Sequence, residues 1–174
     1  LPFRENIDKT KYKLIQDVKS LIEWTEKINN EAAISSDCET SSLNAMEAKI
    51  VGFSMSIENS QACYIPLAHK SKNDEKIKQI SVKEFLEYVK PILEDDSILK
   101  VGQNIKYDLI ILRNIGINVR NIDDTMLMSY VLTSGSNRHN LDEISKIYLS
   151  HETIPFSQVS LKGKEKLTFD YIAL

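Results

Sequence analysis

Residues 49–67 constrain the fold more than any other stretch of this chain. In KIVGFSMSIE (residues 49–58), Ile50, Gly52, Ser54 and Ser56 alternate with Val51, Phe53, Met55 and Ile57, the period of a β-strand. A polar break at Glu58-Asn59-Ser60 leads into QACYIPL, so the two runs predict a β-hairpin. Further strands are expected over residues 12–15, 32–38 and 97–101, the last ending at Gly102. Between them the periodicity changes to that of helices. Asp17 is placed to cap a helix carrying Val18, Leu21, Ile22 and Ile28, which ends near Asn29-Asn30. Ser81-Val82-Lys83-Glu84 has the form of a capping box ahead of Phe85, Leu86 and Val89, with Pro91 expected to kink or end that helix. Residues 104–114, 125–132 and 141–149 predict three more helices, the last two joined by the polar loop TSGSNRHN. Residues 1–10 read as a linker, 161–166 as a basic loop, and 169–174 as the start of another helix. The order β-α-β-β-β-α-β-α-α-α predicts a mixed α/β layer rather than an all-parallel sheet.

With 174 residues, 42% of them hydrophobic, the chain suffices for one well-formed domain. A formal net charge of −3 provides no global field for a polyanion, so a nucleic-acid partner would need a local grip. Two cysteines, Cys38 and Cys63, make no disulfide framework, and the opening LPFRENIDKTK lacks the apolar core of a secretory signal. No apolar run approaches the ~18 residues that span a bilayer. A cytoplasmic domain with no membrane partner is the expectation.

The chemistry concentrates in acidic residues. Side chains two apart on a strand share a face about 6.6 Å apart, so Asp37 and Glu39 point one way and Cys38 the other. Two such carboxylates can flank a divalent cation, which wants hard oxygen donors. Acid-x-acid is also the ordinary pattern of a solvated rim, and Glu94-x-Asp96 has the same spacing in a polar turn. After Gly102, Asn104 and Asp108 lie four apart, which on a helix places them on one face. The structural alternatives there are an N-cap for Asn104 and a favourable first-turn acid for Asp108. Asp124 reads as the N-cap of the next helix. His69 and His151 have no partners at zinc spacing, and neither a glycine-rich phosphate loop nor a GxSxG motif is present. Carboxylates beside Cys38 disfavour it as a nucleophile. Metal chemistry held by carboxylates is what survives.

In order along the chain come D-x-E-T-x-S-L (from Asp37), V-G-x-S, Y-I-P-x-A-H (Tyr64 to His69) and K-V-G-Q-N-x-K-Y-D (ending at Asp108). D-T-M-L-x-S-Y (from Asp124), R-H (Arg138, His139) and K-G-K-x-x-L-T-F follow. Together they resemble the proofreading 3′–5′ exonuclease domain of bacterial DNA polymerase I, over nearly all of residues 12–174. The resemblance implies a ribonuclease H-like exonuclease fold, a mixed five-stranded sheet flanked by helices, over residues 11–174. It implies that Asp37, Glu39 and Asp108 are the catalytic, metal-holding carboxylates for two Mg²⁺ or Mn²⁺ ions. Leu43 and Phe156 match apolar wedges at the terminal base of single-stranded DNA, and Gln103, Asn104, Tyr107 and Arg138 match positions around that strand.

The family's third motif, Tyr-x-x-x-Asp, is not reached before Leu174. On this reading the domain is incomplete at its C-terminus, and the chain as given is expected to hold metal weakly and to cleave slowly or not at all. A monomer is expected, attached to a polymerase domain of the same parent chain. Two alternatives stay open: a degenerate scaffold domain of the polymerase, and a related exonuclease acting on RNA 3′ ends.

Overall fold

The computed structural model describes residues 9–58, 60–73, 75–162, 165–172 and 174. The expected linker over residues 1–10 lies largely outside them, as does Gly163 of the basic loop. The main sheet has six strands: β1 (Lys13–Leu14), β2 (Ala33–Thr40), β3 (Ile50–Glu58), β4 (Gln61–Pro66), β5 (Leu99–Gly102) and β6 (Ile122–Asp124). Their spatial order is β1-β4-β3-β2-β5-β6. The expected hairpin forms as β3 and β4, antiparallel, with β2 antiparallel to β3, while β1/β4, β2/β5 and β5/β6 pair in parallel. The sheet is therefore mixed, as anticipated, with one strand more than the five expected. That strand is β6, three residues that read Ile-Asp-Asp. It has little strand propensity of its own and is held by pairing with β5.

Register divides the sheet into two unlike faces. Phe53 pairs with Cys38 and Ile65, and all three are buried. Against this face pack α1 (Val18–Ile28), through Leu21, Trp24 and Ile28, and α2 (Val82–Leu93), through Phe85, Val89 and Leu93. The rings of Phe53 and Phe85 meet edge to face at 5.2 Å. Asp17 caps α1, accepting from the Ser20 N–H, and Ser81 with Glu84 closes the expected capping box on α2. Pro91 falls in the last turn of α2, which continues to Leu93. On the opposite face, Asp37 pairs with Ser54, which pairs with Tyr64, and Glu39 pairs with Gly52. Around the acid pair this face carries Gly52, Ser54 and Tyr64.

Lys100 on β5 is fully buried, and its Nζ donates to the carbonyls of Asp95 and Ile98 at 2.5 and 2.6 Å, which pins the α2–β5 turn. Beyond the sheet stand α3 (Lys106–Asn114), α4 (Thr125–Thr133), α5 (Leu141–Leu149) and a short α6 (Phe156–Ser160). Part of the expected basic loop pairs as β7 (Leu161–Lys162) with β8 (Glu165–Lys166). Where a helix was expected over residues 169–174 there is a 3-10 turn, Phe169–Tyr171.

Candidate active site

The acid pair lies inside β2, which runs to Thr40, two residues beyond the expected end at residue 38. Strand β5 accompanies β2 in parallel only as far as Ser35↔Val101, so the next part of β2 has an open edge on that side. Asp108 fills it: its Oδ1 accepts the Cys38 N–H at 2.9 Å. A side chain from α3 thus replaces a missing strand partner, and Asp108, only 6% exposed, is fixed beside the acid pair.

All three carboxyls are raised, each chiefly by burial. Burial pushes Asp37 up to about 6, with Asp108 adding to it, although one side of Asp37 opens to solvent. Glu39 is pushed up to about 7 by burial, then by Asp37 and Asp108. Burial raises Asp108 too, against the pull of its Cys38 hydrogen bonds. Burial and the same acids raise the Cys38 thiol, which excludes it as a thiolate nucleophile at neutral pH. Among the described residues no three His, Cys, Asp or Glu side chains are drawn into a ready coordination cage. The donor set nonetheless suits a divalent cation: three carboxylate arms whose desolvation and mutual repulsion a cation would relieve.

Asn104 corrects one expectation. It sits at φ +54°, in the left-handed region, and α3 starts only at Lys106, so Asn104 and Asp108 do not share a helix face. The cause is Asp124, whose carboxylate accepts the N–H groups of Asn104 (3.0 Å) and Ile105 (3.1 Å) as well as Met126 (2.9 Å). The expected N-cap of α4 is therefore also the anchor of the β5–α3 turn. Gly102 precedes that turn because a Cβ there would crowd Ile105.

The remaining positions gather around the acids. The Tyr107 hydroxyl donates to the Ser42 carbonyl and lies 2.6 Å from Thr40 Oγ1. It pins the loop that presents Leu43, which is 98% exposed. Gln103 Nε2 donates to the His139 carbonyl at 2.8 Å and its Oε1 accepts from Thr125 Oγ1 at 2.6 Å, so it ties down the loop carrying exposed Arg138. Phe156, 45% exposed, opens α6 and stacks on Phe169 at 6.1 Å. The control pair behaves as a rim: Glu94 accepts the Asn118 N–H and Asp96 pairs with Arg120. Sequence reasoning missed Tyr64 and His69 as neighbours of Glu39; both stand in the YIPLAH string, with no spacing rule to mark them.

The profile of a family described as 3′–5′ exonuclease matches residues 12–171. DNA polymerase I of Rhizobium leguminosarum is 38% identical over 99% of this chain, which spans 18% of that relative's length. Among solved structures, Escherichia coli RNase D, an exoribonuclease, aligns with a TM-score of 0.62 at 16% identity over 82% of this chain and 34% of its own. Brucella melitensis NrnC with bound Mg²⁺ aligns at 0.57 and 19% identity over 83% of this chain and 63% of its own. Sharing that architecture, the sheet and its helices have the ribonuclease H-like exonuclease fold. No helix among the described residues is long and apolar enough to cross a membrane.

Proposed function

Because the chain belongs to the 3′–5′ exonuclease family, as the match over residues 12–171 establishes, we propose that it serves as the proofreading domain of a DNA polymerase I. In that role it removes mismatched nucleotides from the 3′ end of a single DNA strand by hydrolysing the terminal phosphodiester. The observation that carries this reading is the meeting of Asp37, Glu39 and Asp108 at the open edge of β2, where burial and then neighbouring carboxylates disfavour the charged forms of Asp37 and Glu39. Those three residues would hold Mg²⁺ or Mn²⁺, and the bound ions supply an activated water and charge stabilisation at the phosphate. The protein's own part is to position. Asp108 keeps its second oxygen for the site while the first is fixed to the Cys38 N–H. Leu43, braced through Ser42 by Tyr107, offers an apolar edge against which a splayed terminal base can lodge. Phe156 provides an aromatic surface for the neighbouring base, and Arg138 a positive charge for a phosphate. Gln103 and Asn104 shape the turn between these groups and the acids.

The test is Mn²⁺-dependent release of nucleotides from a labelled single-stranded 3′ end, paired with thermal unfolding across a Mn²⁺ titration. The wild-type chain gains thermal stability with Mn²⁺, since a ligand that binds only the folded state raises Tm. Asp37→Asn and Asp108→Asn lose that gain, and any release falls to the rate seen in EDTA. Equal Mn²⁺ stabilisation in wild type and both variants overturns the assignment.

A further inference from the structure

Beside Glu39 lies a pair of side chains to which the reading above gives no task. Gly52, the strand partner of Glu39, has no room for a Cβ, because the hydroxyl and ring of Tyr64 occupy that space. Paired Cβ positions across strands lie about 4.5–5.5 Å apart, so the Tyr64 hydroxyl stands within side-chain reach of the Glu39 carboxyl. Glu39, Tyr64 and His69 line one cleft together with Phe169 and Ile172. The Tyr64 hydroxyl is 2.6 Å from His69 Nε2, and His69 Nδ1 is 3.2 Å from the Ile172 carbonyl oxygen. His69 is 5% exposed, its backbone N–H donates to Gln79 Oε1, and its ring meets Tyr64 and Phe169 edge to face.

These contacts fix where the protons go. A carbonyl oxygen can only accept, so Nδ1 carries the ring proton. Burial lowers the His69 pKa, which keeps the ring neutral, and Nε2 is then an acceptor. The Tyr64 O–H must donate to it. A phenol keeps its proton at neutral pH, so the bond is a donation and not a transfer. Tyr64 therefore turns only oxygen lone pairs toward Glu39.

We propose that His69 is a positioning residue for Glu39: by accepting the Tyr64 O–H hydrogen bond at Nε2, it prevents the tyrosine from claiming the carboxylate and leaves Glu39 free for a divalent cation. Without that acceptor the phenol would rotate and donate to the nearest anion, Glu39, in a charge-assisted bond that competes with the cation. The inference rests on Glu39 being a cation ligand, so its test carries a control for that reading.

Mn²⁺ affinity is measured on the folded chain by electron paramagnetic resonance. Glu39→Gln is the control: if it leaves Mn²⁺ affinity unchanged, the metal reading of Glu39 fails and the positioning role falls with it. His69→Asn keeps a donor near Nδ1 and removes the acceptor; it weakens Mn²⁺ binding roughly tenfold, in the range of residues that orient a metal ligand. His69→Gln, which can place an amide oxygen near Nε2, restores most of the affinity. In the Tyr64→Phe background His69→Asn has no further effect, because no proton remains to be redirected. A tenfold loss from His69→Asn in both backgrounds, or in neither while Glu39→Gln weakens binding, overturns the role. Nitrogen-15 NMR gives a readout that needs no metal: His69 shows a protonated Nδ1 and a bare Nε2. The opposite tautomer refutes the proposal.

Discussion

Glu39 holds a carboxyl with a pKa of about 7 near the end of β2, Asp37 one of about 6, and Asp108 one raised as well. Each binds its proton more tightly in the folded chain than in the unfolded one, where carboxyls titrate near ~4. Their contribution favours folding at pH below ~4 and is lost as pH rises through 6 to 7. Asp17, Glu84 and Asp95 have lowered pKa values, so their stabilisation is present above ~4 and is lost only in more acid solution. In EDTA, the urea midpoint of the wild-type chain is accordingly expected to fall between pH 5 and 7.5, and Glu39→Gln to flatten that decline. Parallel slopes for the two proteins would show that Glu39 does not titrate in this window. A second residue-scale expectation concerns Gly52. Gly52→Ala forces the Tyr64 ring off the sheet and costs about 1–3 kcal/mol in denaturant unfolding. A change below about 0.5 kcal/mol would mean that Tyr64 has another place to lie.

At the scale of elements, one carboxylate sets two helix starts. Asp124, nearly buried, takes N–H groups from Asn104 and Ile105 before α3 and from Met126 in α4. Asp124→Ala would leave three donors without that partner and is expected to destabilise by roughly 2 kcal/mol or more; Asp124→Asn, which keeps an acceptor, costs less. Chemical denaturation of the two variants measures the difference, and equal losses would assign the effect to charge rather than to acceptor geometry. This double role also shows where sequence reading stopped. The long elements announced themselves through period and caps: Asp17 and Ser81 for α1 and α2, alternation for β3 and β4. So did the acid pair, because Asp37 and Glu39 share a strand face whatever surrounds them. What stayed hidden depends on partners distant in sequence. β6 exists by pairing with β5, and Asn104 leaves the helix because Asp124, twenty residues on, takes its N–H. The burial of Lys100 on β5 likewise depends on the carbonyls of Asp95 and Ile98, which no local pattern announces.

Over the whole molecule, the net charge of −3 and the acid cluster together repel a phosphate backbone. Retention of a single strand is then expected to depend on bound cations more than on surface lysines. Fluorescence anisotropy with a labelled oligonucleotide should show affinity lost in EDTA and regained in Ca²⁺, with a shallow dependence on NaCl. A steep NaCl dependence that ignores EDTA would place the DNA elsewhere on the surface. The same sheet that carries the site tapers outward: β2 and β3 run eight and nine residues at its centre, β1 and β6 only two and three at its rims. A rim that short exposes few unpaired backbone groups for a foreign strand to copy. The taper therefore protects the domain against strand-by-strand association.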